Sequence, residues 1–284
     1  MNPLRFCISF SGITLRMVLP APAELPEELT AFLCEDSGTV DAEYEIRLIR
    51  EPLCPGTNPV CRERGTEYYK MKEGWLRIYR PLIEKDGCQV ACLLCPDGRN
   101  VLFYPEKRWD HYAAPLHCIH LLGVESLLLR RDAFLLHSSV VLLNGKTVLF
   151  SGPSGAGKST QAALWQQHLG AKVINGDRCV IMKRPDGFYG GGSPWSGTSG
   201  IYHPDQAPIA GIFLVHQAPE NSVQRLGRAA FAPLFSQTAV NSWDPEFMER
   251  ISQLVPELLS QVPVYRLNCR PDEGAVMAAY HAIF

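Results

Sequence analysis

"LLHSSVVLLNGKTVLFSGPSGAGKST", Leu135 to Thr160, holds two readings side by side. The second half, "GPSGAGKS", fits G-x-x-x-x-G-K-[ST]. Gly152, Gly157, Lys158 and Ser159 stand at the required spacing, after an apolar run and before the helix-permissive "STQAALWQQHL". The first half, "SSVVLLNGKTVLFS", reads as two apolar strands joined by Asn144-Gly145. The strand that feeds this phosphate-binding loop is therefore expected to arrive through a hairpin, where a parallel crossover would be usual.

The residue types of the loop suit phosphate oxygens. Glycines let successive backbone N–H groups turn inward, and a helix N-terminus adds positive potential at the same place. Gly152, Ser154, Gly155, Ala156, Gly157, Lys158, Ser159 and Thr160 are the expected nucleotide-binding residues. Lys158 would reach the β- and γ-phosphates as a point charge, and the Ser159 hydroxyl is placed to hold Mg²⁺. ATP or GTP, with Mg²⁺, is the implied nucleotide.

Downstream, Gly170 is placed to end the helix, and "KVIN", "GDR" and a hairpin "CVIMKRPDGFYGGG" follow. A buried strand "IAGIFLVHQ", a helix "EFMERISQLVPELLSQ", a strand "VPVYRLN" and a closing helix "EGAVMAAYHAIF" complete the chain. Upstream, from Met1 to about Lys107, short alternating runs ("RFCISF", "YEIRLIR", "WLRIYR", "QVACLLC", "VLFYP") are separated by turn residues, and a short helix follows the Pro-rich "PAPAELP". Two domains are expected: a β-rich one over 1–108 and a P-loop domain over 109–284. The stretch from Trp109 to Leu129 reads as a largely apolar helix between them.

A net charge of −2 offers no global pull toward nucleic acid or membrane. No signal-type apolar region and no run approaching the ~20 residues of a membrane span is seen, so a soluble, cytoplasmic protein is expected. The ten cysteines are expected to be reduced. In "CQVACLLCP", Cys88 and Cys92 face one side of a strand and Cys95 the other, and Cys54 and Cys61 supply no closely spaced second pair. His111, His117 and His120 lie on the apolar stretch without nearby carboxylates. Buried thiols and packing histidines are expected there, and no zinc.

A second glycine-rich loop, "GGGSPWSGTSG", gathers Ser193, Trp195, Ser196, Gly197 and Thr198. It reads as a substrate loop able to close over an acceptor, the alternative being a Trp packed beneath a surface loop.

A histidine before a hairpin, "LHSSVVLLNGK", running into "GPSGAGKST" and followed by "NGDR" and "GGSPWSGTS", resembles the HPr serine kinase/phosphorylase group, whose core looks like phosphoenolpyruvate carboxykinase. The resemblance is clear over residues 135–200 and loose to Phe284. It implies an α/β fold in which an HPr-kinase-like P-loop domain with a mixed sheet follows a smaller β-rich domain. It puts Asp177 in the place of the catalytic aspartate that takes the proton from the substrate serine, and makes it a candidate Mg²⁺ ligand beside Ser159. It also puts His137 near the phosphates. Arg178 could stabilise charge on the transferring phosphoryl or make a salt bridge. Those kinases commonly carry two adjacent aspartates, and here the first position is Gly176. The E-x-R-G-x-G signature of the bifunctional enzymes is missing. The chain thus looks more like the divergent kinases encoded with peptide-modification clusters, including those acting on lasso-peptide precursors.

The expected function is ATP-dependent phosphorylation of a serine hydroxyl on a peptide or small protein. A kinase of a small hydroxyl metabolite such as free serine, or a nucleotide-binding module without turnover, are the alternatives. A homo-oligomer is compatible with this reading.

Overall fold

The computed structural model describes residues 2–63, 65–79, 89–110 and 117–284, which gather into two units, Met1–Leu127 and Leu128–Phe284. In the first, alternating apolar residues build a sheet. Strands β1 (Leu4–Phe10) and β2 (Ile13–Leu19) form a hairpin across Ser11 and Gly12, both at positive φ. Ile13, Leu15, Met17 and Leu19 of β2 are buried at every second position, the signature of one face turned to a core. β3 (Leu33–Cys34), β4 (Ala42–Ile49), β5 (Cys61–Glu63), β6 (Thr66–Lys70), β7 (Trp75–Tyr79), β8 (Val90–Leu94) and β9 (Arg99–Pro105) complete a nine-stranded sheet ordered β3-β1-β2-β4-β9-β8-β7-β6-β5. It is mixed, since β2–β4 and β4–β9 run parallel.

The helix expected over Trp109–Leu129 is not one element. A helical turn at 117–119 and a separate helix at Glu125–Leu129 are divided by a turn in which Gly123 takes φ 64°. His111 and Cys88 lie outside the described residues. Cys92 is buried in β8, its Sγ 3.7 Å from the Leu122 carbonyl, and burial pushes its thiol up to about 12. His117 Nδ1 meets the Tyr104 hydroxyl at 3.1 Å.

In the second unit, β10 (Ala133–Leu143) turns through Asn144 and Gly145 into β11 (Lys146–Ser151). Both turn residues take positive φ, 50° and 71°, the requirement of a two-residue turn that matches strand twist, so the expected antiparallel hairpin forms. The glycine-rich loop then enters α1 (Lys158–Leu169). Gly170 ends that helix at φ 67°, with its N–H returned to the Gln166 carbonyl. β12 (Lys172–Asn175), β13 (Arg178–Arg184), β14 (Gly187–Gly191), β15 (Gln206–Gln217), β16 (Ser222–Arg225), α2 (Pro245–Gln261), β17 (Val264–Cys269) and α3 (Glu273–Ile283) follow.

Two long strands are each shared between partners. Residues 133–137 of β10 pair with β13, whereas residues 138–143 pair with β11. Along β15, residues 206–208 pair with β14, residues 209–214 run parallel to β11 and residues 212–217 run parallel to β17. The molecule is thus mixed α/β, with two mixed sheets.

The central strands of this unit are apolar on both faces because helices cover both. Val140, Leu149, Ile212 and Leu214 pack with Ile251, Leu254 and Leu258 of α2. Their sequence neighbours Val141, Val148, Phe150, Phe213 and Val215 pack with Ala162 and Trp165 of α1 and Val276 of α3. Trp165 is fully buried, lies edge-on to Phe150 at 5.5 Å, and its Nε1 has no hydrogen-bond partner among the described residues. The indole therefore contributes through packing alone, and it anchors the helix that begins at the phosphate loop.

Trp165→Ala should lower stability by about 3–5 kcal/mol, the usual range for truncating a buried aromatic. Urea unfolding followed by far-UV circular dichroism checks this, and Trp165→Phe should recover most of the loss.

Candidate active site

Lys158 is 7% exposed, and its Nζ donates to the carbonyls of Gly152 (3.0 Å) and Pro153 (3.1 Å), closing the loop on itself. An ammonium has three protons, so one donor remains beyond these two. Burial pulls the Lys158 pKa down, while the carboxylate of Asp177 opposes the shift. Gly152, Gly155 and Gly157 all take positive φ, at 145°, 78° and 104°. At Gly152 a Cβ would also sit 3.2 Å from the Val215 carbonyl, so the chain passes close to the sheet there. Gln217 Nε2 donates to the Gly155 carbonyl at 2.7 Å and staples the loop to the end of β15. Ser154, Ser159 and Thr160 are exposed, and Ala156 N–H closes a turn on the Pro153 carbonyl.

Ser159 Oγ stands 3.4 Å from Ser139 Oγ on β10. Ser139 Oγ in turn donates to the Gly176 carbonyl at 3.0 Å, so one polar line runs from the phosphate loop to the residue before Asp177. The Asp177 carboxylate lies 3.5 Å from His137 Nε2 through one oxygen and 3.5 Å from Arg178 Nε through the other. His137, Asp177, Arg178, Lys158 and Ser159 are brought to one end of the sheet.

His137 is held at both ring nitrogens. Ser236 Oγ donates to the Pro233 carbonyl at 2.8 Å and lies 3.1 Å from Gln237 Nε2, and Gln237 Oε1 lies 3.3 Å from His137 Nδ1. The other ring nitrogen, Nε2, borders the Asp177 carboxylate, so a hydroxyl or a cation entering there meets an imidazole and a carboxylate together.

The second glycine-rich loop is tied to this turn from inside. Asn175, fully buried, accepts from the N–H groups of Asp177 (2.9 Å) and Arg178 (2.8 Å) and donates to the carbonyls of Ser193 (3.0 Å) and Trp195 (3.1 Å). Ser193 Oγ donates to the Arg178 carbonyl at 2.7 Å. Trp195 is 3% exposed, packed beneath the loop. Ser196 and Gly197 lead a short 3-10 turn, Gly197–Ser199, which includes Thr198. Gly197, at φ 56°, would place a Cβ 2.8 Å from the Asp177 Cγ.

Sequence reasoning assigned no role to Asn175, Ser139 or Gln237. Asn175 stood within the quoted "NGDR", and an amide flanking a strand-end aspartate was the one signal available. The links made by Ser139 and Gln237 span 37 and 100 residues and leave no local pattern. Among the described residues no three His, Cys, Asp or Glu side chains converge as a metal site, and no helix is long and apolar enough to cross a membrane.

No protein-family model matches the chain, and no curated protein matches it. Among solved structures it is similar to the HPr(Ser) kinase/phosphatase from Coxiella burnetii, at 10% identity and a TM-score of 0.31, over 52% of this chain and 89% of that one. A likeness that low assigns no activity.

Burial first, and then the Lys158 cation, hold the His137 pKa below 6.5, with Asp177 acting the other way. Folding thus favours the neutral ring. The associated stability is present above the unfolded value and is lost as pH falls through the lowered one. Histidine NMR should show His137 titrating below 6.5, and Lys158→Met should move it upward without restoring it, because burial is the larger cause. A midpoint at or above 6.5 in the unaltered protein would refute this.

Proposed function

We propose that the protein is an ATP-dependent phosphotransferase with an alcohol acceptor, a serine of a peptide or small protein. The observation that carries this is the polar line from Ser159 through Ser139 to the Gly176 carbonyl. It joins a glycine-turned phosphate loop to a strand-end carboxylate within one site. A loop that only stored a nucleotide would have no need of Asp177 and His137 at its mouth.

The residues present fit a Mg-nucleotide. Positive-φ glycines leave the loop amides free of Cβ crowding, Lys158 keeps a donor, and the exposed Ser159 hydroxyl meets Ser139 at 3.4 Å. Ser159 and Asp177 would hold Mg²⁺, which neutralises phosphate charge in reactions of this class. The chain's own groups do the rest. Lys158 and the loop amides hold the phosphates, while Gln237 holds His137 at Nδ1 and leaves its Nε2 bordering Asp177. Asp177 accepts the acceptor hydroxyl's proton, and Arg178, partly exposed beside it, faces the charge that moves with the phosphoryl. Positioning and charge neutralisation supply the rate, because transfer asks for little covalent chemistry from the protein. The loop around Ser193, Ser196 and Gly197, held against the Asp177 turn, forms the acceptor side.

Asp177→Asn should keep nucleotide affinity within a few-fold and cut transfer by ~10²–10⁴-fold, the worth of a general base. Lys158→Ala should abolish both tight binding and transfer. The check is mass spectrometry of candidate peptide acceptors after incubation with ATP and Mg²⁺, together with calorimetric titration of nucleotide. Near-normal turnover in Asp177→Asn would remove the carboxylate from the mechanism.

A further inference from the structure

Two segments border the Asp177 carboxylate and the His137 ring. One is the loop after β14, where Asn175 holds the Ser193 and Trp195 carbonyls and a Cβ on Gly197 would sit 2.8 Å from the Asp177 Cγ. The other is the stretch around Gln237, laid along β10 by its backbone. There the His137 N–H donates to the Gln237 carbonyl at 2.9 Å, the Ala239 N–H donates to the Leu135 carbonyl at 3.0 Å, and Leu136 and Thr238 form a bridge between them.

The two borders share an unusual composition. No Asp, Glu, Lys or Arg occurs from Gly187 to Pro204, and none from Ala229 to Trp243. These are the two longest charge-free runs in a chain of which 20% is charged, and the fold brings both to one turn. Burial does not explain them. Gly197, Gly200, Ala232, Pro233 and Ser236 are exposed, and a charge at such positions would stay hydrated at little cost. The charges of the site lie inside the borders instead, and they are engaged with one another: Arg178 Nε stands 3.5 Å from the Asp177 carboxylate, and Lys158 closes its own loop.

On the phosphotransferase reading given above, we infer that the acceptor is a neutral segment, with no charged side chain directly before or after its serine. A charged flank entering between the borders gives up water and meets hydroxyls, amides and apolar carbon in place of a counter-ion. An acidic flank also meets the Asp177 carboxylate. A basic flank that reached Asp177 would occupy the group that takes the hydroxyl's proton. Neutral borders thus select by leaving either sign of charge unpaired.

The test uses peptides with one serine in a Gly/Ala frame and Ala, Glu or Lys directly before and after it, incubated with ATP and Mg²⁺ and compared by kcat/KM. The neutral peptide is expected to exceed both charged ones by roughly ten-fold or more. Equal values across the set, or a preference for Glu or for Lys, would overturn the neutral acceptor and leave the phosphotransferase standing. Absence of phosphate on every peptide would instead sink peptide phosphorylation, and the neutral acceptor with it. Ser196→Lys and Ser236→Lys each place a cation on one border. Each should raise the Glu peptide against the Lys peptide by roughly ten-fold, an advantage that shrinks in added salt. Turnover of the neutral peptide reports that a variant is folded, and an unchanged ranking in the folded variants would overturn the role given to the borders.

Discussion

The Asn175 carboxamide has two acceptor directions and two donor protons, and the fold spends them on two separate segments. Oδ1 takes the N–H groups of Asp177 and Arg178, and Nδ2 reaches the carbonyls of Ser193 and Trp195. The side chain is fully buried, so water cannot replace these partners, and a hydrocarbon there would strand several backbone groups at ~1–3 kcal/mol each. The turn bearing Asp177 and the loop after β14 are thereby set relative to each other from within. Asp177 can project its carboxylate toward the phosphate loop only because its own backbone is held from behind.

The second constraint is the division of β10. At His137 the strand still pairs with β13, opposite Arg178, and at Ser138 it pairs with β11, opposite Ser151. His137 therefore stands where the strand changes partners. Ser151 Oγ donates to the His137 carbonyl at 2.8 Å, and Ser138 N–H to the Asp177 carbonyl at 2.9 Å, so loop entrance, histidine and aspartate are laced together by backbone and hydroxyl groups. In open α/β sheets, sites form where strand connectivity reverses and leaves a crevice. The divided strand creates a comparable place by another route.

Much of this was legible in the residues, and the exceptions share a cause. The Asn144-Gly145 hairpin, the helix stop at Gly170 and the Pro185-Asp186 turn are local, and each formed as expected because a short segment specifies its own backbone. In the stretch from Trp109 to Leu129 apolar composition does not amount to helical continuity, and Gly123 at φ 64° interrupts it. The hairpin across Ser11-Gly12 is masked in the sequence because Ser9, Ser11 and Arg16 obscure the alternation. The polar links of Ser139, Asn175 and Gln237 were illegible for a different reason. Hydrogen-bond partners far apart in sequence are chosen by the assembled fold, and no spacing rule announces them.

Gly176, the residue before Asp177, has a structural account. A Cβ there would lie 2.1 Å from Ser199 Oγ and 2.4 Å from Ser199 Cβ, so even alanine would collide with the 3-10 turn. Ser199 is itself committed, its Oγ donating to the Ser196 carbonyl at 2.6 Å and accepting from the Ile201 N–H at 3.2 Å. A second carboxylate at that position would require the turn to move, and Gly197, which has no room for a Cβ beside Asp177, would move with it. Placing an aspartate at position 176 is thus a change to the loop as well as to one residue. The turn therefore carries a single carboxylate, and that one group is bracketed by an imidazole and a guanidinium: His137 Nε2 stands 3.5 Å from one oxygen and Arg178 Nε 3.5 Å from the other.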